Sequence, residues 1–397
     1  MVIEPKVKAF ICTTAHPAGC RAAVQAQIDY VKAQPKTEGP KKVLVIGCSM
    51  GYGLASRIAA AYSCGAGTLG LGIIFDKPAK GKRTATAGWY NTAAFEEIAT
   101  ADGLYAKTLN GDAYSAEMKE QTIETIKKDF GQVDMVIYSI AAPRRTAPDG
   151  VTYKSVLKTT GESYTNRTID LRNNQLMEAT IEPATDEEIQ NTIKVMGGED
   201  WILWIKALKE AGVLADGAKT LAYSYIGPEL TYPIYKEGSI GQAKKDLYAS
   251  ADKIQAEIDG VEAYVSVNKA VVTQSSAAIP IVPLYLAILF KVMKEQKVQE
   301  GCIEQMYRMI HDRLCNGGAV VTDENRLIRM DDWEMEPKVQ EAVAEIWQKI
   351  DQDNLEEVTD LEGYWQEFYE IFGFRIDGVD YGADVDADVQ IPSIAAE

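Results

Sequence analysis

Histidine is nearly absent: the 397 residues hold only His16 and His311. A histidine-built metal centre or a Ser-His-Asp triad therefore has almost no material, and no metal is expected. The six cysteines (Cys12, Cys20, Cys48, Cys64, Cys302, Cys315) form no CxxC pair and read as reduced, mostly buried thiols. Long apolar runs are missing too. The longest, Ala277–Phe290, falls short of a bilayer span and contains Pro280 and Pro283, so no membrane span is expected. Basic residues are in deficit, 41 against 58 acidic for a net charge of −17, which argues against nucleic acid as a partner. The opening Met1-Val-Ile-Glu-Pro-Lys has no basic flank followed by an apolar segment and reads as an unprocessed, cytoplasmic start.

What is present is ordinary for a globular chain: 46% hydrophobic and 25% charged residues. Short apolar, β-branched runs recur between helical patterns, at Lys42–Ile46, Thr68–Phe75, Val133–Ala141, Thr220–Ile226 and Ala263–Val267. Near-continuous apolar strands alternating with helices predict a parallel sheet covered on both faces, an α/β, doubly wound Rossmann-type fold. Between Pro143 and Glu199 the chain turns polar. There Tyr164–Ile169 and Gln175–Ile181 alternate about Asn173-Asn174 and predict an inserted hairpin.

The first run ends in Gly47-Cys48-Ser49-Met50-Gly51-Tyr52-Gly53 and leads into the small-residue helix pattern Leu54–Tyr62. Glycines at such a turn let backbone N–H groups approach a pyrophosphate, and the helix N-terminus faces it with partial positive charge. The spacing is GxxxGxG, the looser loop of short-chain reductases; an ordinary tight strand-to-helix turn is the plain alternative. Asp76 closes the next run, 23 residues after Gly53, close to the ~20-residue offset of a ribose-binding acid. A carboxylate there accepts from the adenosine 2′-OH and repels a 2′-phosphate, so NADH is favoured over NADPH, although Lys77 follows directly. Farther on, Asp112-Ala113 and Ser139-Ile140-Ala141 stand where strand ends would line a cofactor crevice, or as plain loop and core.

Tyr235 precedes Lys244 by nine positions, but a chain with 20 tyrosines and 41 basic residues holds about two such pairs by chance. Position carries more: the pair follows the Thr220–Ile226 run and enters the helix pattern Ser239–Ile258. Nine residues of unbroken helix turn by about 900° and would put the two side chains on opposite faces. Gly238, followed by Ser239 as N-cap, supplies the break, predicting Tyr235 before the helix and Lys244 in its second turn. A phenol stabilises negative charge developing on a carbonyl oxygen, and a neighbouring ammonium is expected to lower its pKa. Tyr225 is a second phenol; a half-buried aromatic is the plain alternative for either.

Together these residues resemble the trans-2-enoyl-CoA reductase/type V enoyl-ACP reductase family, a long, usually monomeric branch of the short-chain reductases. The likeness runs through His16-Pro-Ala-Gly-Cys20, the Gly47–Gly53 loop, Ala87-Gly-Trp-Tyr-Asn91, Tyr138-Ser-Ile-Ala-Ala-Pro143 and Met196-Gly-Gly-Glu-Asp-Trp201. It continues in Ala222-Tyr-Ser-Tyr-Ile-Gly227, Val265-Ser-Val-Asn-Lys269 and Gly378-Val-Asp-Tyr381. The resemblance implies Tyr235 as proton donor, Tyr225 at the substrate carbonyl and Lys244 on NAD. It also implies Gly47 to Gly53 (with Cys48, Ser49, Met50, Gly51 and Tyr52) at the pyrophosphate, Phe75 with Asp76 at the ribose, and Asp112-Ala113 at the adenine. Ser139, Ile140, Ala141, Val271, Val272 and Thr273 would line the nicotinamide. Two departures stand out: Asp76 where members often carry Glu, and Met50 where a small or polar residue is usual.

The implied reaction is NADH-dependent reduction of a short trans-2-enoyl-CoA by a monomer. The same reaction on an acyl-carrier-protein thioester is the neighbouring alternative, and a catalytically silent NAD-binding sensor is the alternative from another class. Arg144, Arg145, Lys154 and Lys158 are available for the phosphates of coenzyme A. Ala277–Phe290 would wall an acyl pocket, or simply be a buried helix. The expected organisation is one elaborated domain over 1–397. An N-terminal arm (1–40) precedes an NAD-binding half (41–142), the hairpin region (143–200), a catalytic half with acyl pocket (201–290) and a helical extension (291–397). Tyr381–Glu397, acidic and small, is expected to be a loosely held tail.

Overall fold

The computed structural model describes residues 1–8, 11–72 and 77–395. The apolar runs become a seven-stranded, wholly parallel sheet. Its strands are β1 (Lys42–Ile46), β2 (Gly67–Gly72), β3 (Ala106–Asn110), β4 (Val133–Tyr138), β5 (Leu214–Ser224), β6 (Val261–Val267) and β7 (Leu327–Arg329). Their order is β3-β2-β1-β4-β5-β6-β7. Chain direction across the sheet reverses between β1 and β4, where Ile46 lies opposite Tyr138, and that switch point is where an open α/β sheet places its ligand.

The five predicted strands are all present, with β2 described only to Gly72 because 73–76 lie outside the described residues. Edge strands β3 and β7 were not foreseen. Ala-Lys-Thr-Leu-Asn is too polar to read as a covered strand, and Leu327–Arg329 is only three residues long; short or charged edges are how sheets avoid pairing with other chains. The hairpin forms as expected, Tyr164–Asp170 against Gln175–Ile181, and Asn174 takes the left-handed conformation (φ 55°) that its turn requires.

The helices that matter for the site are α1 (Gly51–Cys64), α2 (Ala87–Ala101), α3 (Glu199–Glu210), α4 (Ser239–Glu257) and α5 (Val282–Glu295). Helix α5 is the apolar stretch with the two prolines, and it is buried on all sides from Val282 to Phe290. It forms the centre of one core cluster, against which Met50, Tyr235, Ala270 and Ile279 also pack. No described helix is long and apolar enough to cross a membrane.

Two expectations are corrected. Gly238, not Ser239, is the N-cap of α4; the Ser239 hydroxyl instead donates to Val156 O (2.7 Å) and accepts from Lys158 N (3.1 Å), tying the helix start to the inserted region. The C-terminal segment is not loosely held. Tyr90 Oη donates to Ala387 O and Trp89 Nε1 to Val389 O (both 2.7 Å), while Ser393 bonds the buried Glu96 carboxylate through its amide (3.0 Å) and hydroxyl (2.8 Å). The acidic composition hid this docking because the bonds are made by backbone groups and one serine, and Ala387 and Ile391 supply the buried contact.

Candidate active site

The predicted residues gather at the C-terminal ends of the parallel strands. Gly47 ends β1 with φ 86°, and a Cβ there would overlap Ser139 O after β4. At Gly53 a Cβ would overlap Gly47 O. Both glycines are thus required for close backbone approach, a need that a tight strand-to-helix turn and a phosphate cradle share. Gly51 also has positive φ (52°), but the space beside it is open. Met50 is the N-cap of α1 and makes no side-chain capping bond, so the first N–H groups of the helix face the loop with no side chain claiming them. These features fit a pyrophosphate.

The other cofactor candidates divide. Asp112 follows β3 and holds the Tyr114 amide (3.0 Å); the Ala113 carbonyl accepts from Trp204 Nε1 of α3 (3.0 Å). Ser139, Ile140 and Ala141 follow β4, and the Ser139 amide donates to Ile46 O (2.8 Å). Val271, Val272 and Thr273 follow β6, with Thr273 locked to Ser276 by reciprocal bonds. Cys48 and Ser49 are buried in the loop. The Tyr52 side chain points elsewhere: its hydroxyl donates to Lys269 O (2.5 Å) and bonds Gln305 (3.1 Å), bracing the segment after β6. Phe75 and Asp76 lie outside the described residues.

Tyr225 follows β5, and Tyr235 sits before α4 as predicted. Their rings meet edge to face, centroids 4.8 Å apart at 89°. Chain reversal at Gly238–Gly241 makes this possible, because a Cβ on Gly241 would overlap the carbonyl oxygens of Tyr235 and Lys236. Lys244, in the second turn of α4, donates to Tyr223 O at 2.9 Å, and burial lowers its pKa to about 8.

The expectation that an ammonium lowers the Tyr235 pKa is overturned. Burial pushes it up, followed by the carboxylate of Glu334 and by Tyr364, and Lys244 is not among its causes. Tyr235 is therefore a neutral phenol at physiological pH, and its hydroxyl has no hydrogen-bond partner among the described residues.

Sequence reading missed Glu334. Completely buried, it accepts from Tyr225 Oη (3.0 Å) and Tyr285 Oη (2.6 Å) at Oε1 and from the Ala270 amide (2.7 Å) at Oε2. No local motif announces it, since its partners lie 49 to 109 positions away. The basic group proposed for phosphates also changes. Arg145 is 2% exposed and bonded to Glu199 (2.7 Å) and Lys194 O, and Lys158 is paired with Glu188 (2.7 Å). Arg144 and Lys154 stay exposed, directly opposite each other on a short ladder after β4.

A separate open cleft of about 640 Å³ lies at the other end of the sheet, lined by Lys32, Lys36, Lys41, Tyr62, Cys64 and Asp102. Its lysines are already bound to Asp102, Tyr62 O and Cys64 O, and none of the candidate residues faces it.

A parallel sheet with a glycine cradle at its switch point and two facing phenols in the segment between β5 and α4 defines a dinucleotide-dependent reductase of the α/β class. Family models match in succession. The NAD(P)H binding domain of trans-2-enoyl-CoA reductase covers residues 2–81, the trans-2-enoyl-CoA reductase catalytic region 83–315, and an enoyl reductase FAD binding domain 322–385. The chain is 55% identical over 397 residues to a Ruminiclostridium cellulolyticum protein named trans-2-enoyl-CoA reductase (NADH), covering 99% of this chain and 100% of that one. It is 54% identical to the enoyl-(acyl-carrier-protein) reductase (NADH) of Psychromonas ingrahamii, with both chains covered in full. The crystal structure of Clostridium acetobutulicum trans-2-enoyl-CoA reductase in complex with NADH matches with a TM-score of 0.95 at 43% identity over 99% of each chain. The Treponema denticola enzyme in complex with NAD gives 0.94 at 47%, over 98% and 99%. The chain belongs to the trans-2-enoyl-CoA reductase family.

Residues 322–385 do not fit a flavin. Their one strand is β7, no glycine turn joins it to a helix, and Trp347, Tyr364 and Phe368 are spent closing the core around α5.

Proposed function

We propose that this chain is an NADH-dependent trans-2-enoyl-CoA reductase that reduces the C2=C3 bond of a short enoyl thioester. The observation that carries it is the edge-to-face pair of Tyr225 and Tyr235, beyond the end of β5, which β4 separates from the cradle strand β1. Bound in that cradle, NADH supplies a hydride to the β-carbon. Residues Gly47 to Gly53 hold its pyrophosphate through backbone N–H groups and the α1 N-terminus. Asp112-Ala113, Ser139–Ala141 and Val271–Thr273 would line its two ends, and Lys244, which has donors to spare beside its bond to Tyr223 O, would hold its ribose.

As charge builds on the thioester oxygen, the free Tyr235 hydroxyl donates to it and stabilises the enolate. A phenol is protonated at neutral pH, so the Tyr235 hydroxyl has its proton in place when the enolate forms. The side of α5 against which Tyr235 packs would be the apolar wall met by the acyl chain. For the distal end, Arg144 and Lys154 are like charges set opposite on adjacent strands, an arrangement that is unfavourable unless an anion lies between them. The phosphates of coenzyme A match that pair, and the net charge of −17 disfavours an acidic carrier protein.

The test is NADH oxidation at 340 nm with crotonyl-CoA. Turnover is expected in the wild type, and Tyr235→Phe should lose at least about a hundred-fold in kcat while NADH still quenches or shifts protein fluorescence normally. NADH binding without oxidation by any enoyl thioester would instead mark a cofactor sensor.

A further inference from the structure

Glu334 is a carboxylate in an expensive place. It has no exposed surface, and a buried charge persists only when neighbours satisfy it. The satisfaction here is specific. Oε1 accepts the protons of Tyr225 and Tyr285, and Oε2 accepts the amide of Ala270. Gln340 completes the ring by donating to the Tyr285 hydroxyl (3.3 Å) and to the Glu334 main-chain oxygen (2.7 Å). A hydroxyl carries one proton, so a Tyr225 that donates to Glu334 has none left for a substrate. Its ring, fixed by that bond, is the surface on which the Tyr235 ring rests. Ala270, held at the other oxygen, is the residue before Val271–Thr273.

We propose that Glu334 is the positioning carboxylate of the reductase site. It commits the Tyr225 proton, so that Tyr225 meets the cleft as an acceptor and a brace while Tyr235 is the sole phenolic donor, and it ties this phenol pair to the segment that lines the nicotinamide. The inference rests on the reductase reading above and narrows it, because Tyr225 then steers the reaction without giving up a proton.

A pH signature follows. The groups facing Glu334 are Tyr225, Tyr235, Tyr285, the buried Lys269 ammonium and Asp331. Burial raises the Glu334 pKa above the usual carboxylate value, while Lys269 and the Tyr285 and Ala270 bonds oppose the rise. Protonating Glu334 adds a donor where Tyr225 needs an acceptor, so kcat should fall as pH drops through that raised pKa. Tyr285→Phe removes a bond that favours the ionised form, so the acid limb should move to higher pH.

The experiment uses the whole chain with NADH and crotonyl-CoA. Glu334→Gln should lower kcat by roughly ten- to a hundred-fold, the scale of a misplaced reacting group, with KM changed much less and the acid limb gone. Tyr225→Phe combined with Glu334→Gln should be no slower than the slower single variant, because the two act as one unit. Three results would overturn the proposal: near wild-type kcat in Glu334→Gln, losses that multiply in the double variant, or an acid limb unmoved by Tyr285→Phe. The last measurement stands even if Glu334→Gln does not fold. Absence of turnover in the wild type would refute the reductase reading itself, a different outcome.

Discussion

Lys244 shows how a single side chain links burial to pH. Removal from water holds its pKa down to about 8, from an ordinary 10.5, because the charged form loses hydration. Between those values the folded chain has shed the proton and the unfolded chain retains it. The unfolded state then binds more protons, so stability rises with pH across that window, and below about pH 8 the cost of the buried charge is fully present. Replacing Lys244 by Met should therefore flatten the pH dependence of cofactor-free stability from pH 8 to 10, measured by urea unfolding. Parallel curves for the two proteins would show that the ammonium is not confined as described. The same scale explains a misreading: the ammonium was assigned to Tyr235, yet it is spent on Tyr223 O, a main-chain partner that no spacing rule reveals.

At the scale of elements, the start of α4 decides where the chemistry sits. The break before the helix was legible, since glycine and serine after a Tyr-Lys-Glu segment cannot continue a helical pattern. Its tightness was not. Gly241 leaves no room for a Cβ against Tyr235 O and Lys236 O, so Gly241→Ala must push the Tyr235 segment off the helix. We expect a loss of about 1–3 kcal/mol in stability and a clear fall in kcat, with NADH affinity nearly kept because the glycine cradle lies on β1. Stopped-flow or steady-state assays beside an NADH titration distinguish this from general damage, in which both would fall together. Helix α5 is the counterpart case. Its apolar content was plain from sequence, while its central place beneath Tyr235 and Met50 came only with the packing of the hairpin and the C-terminal helices around it.

For the whole molecule, the two chain ends close on each other and on the sheet edge. The Met1 ammonium meets Asp384 and Val385 O, and Ser393 covers Glu96 beside β3. Ending the chain at residue 385 should cost roughly 1 kcal/mol for each lost hydrogen bond and about 1.5–3 kcal/mol for losing the buried Ile391 side chain. A calorimetric scan should show a lower Tm, and an unchanged one would mean the tail is not docked. The net charge of −17 hides this, because composition counts charges and says nothing about which backbone groups are paired.

The amino-acid order by itself determined the covered parallel strands, the glycine turn after β1, the hairpin about Asn173-Asn174 and the placing of Tyr235 ahead of α4. Each depends on neighbours within a few residues, where apolar pattern and turn chemistry are decisive. Only the tertiary structure decided that Arg145 is spent on Glu199, that Tyr52 braces Lys269, and that Glu334 reaches back to Tyr225 across 109 positions. Those pairings arise when separate elements bury polar groups against one another. A buried donor must then find whichever acceptor the packing brings, and sequence distance has no part in that choice.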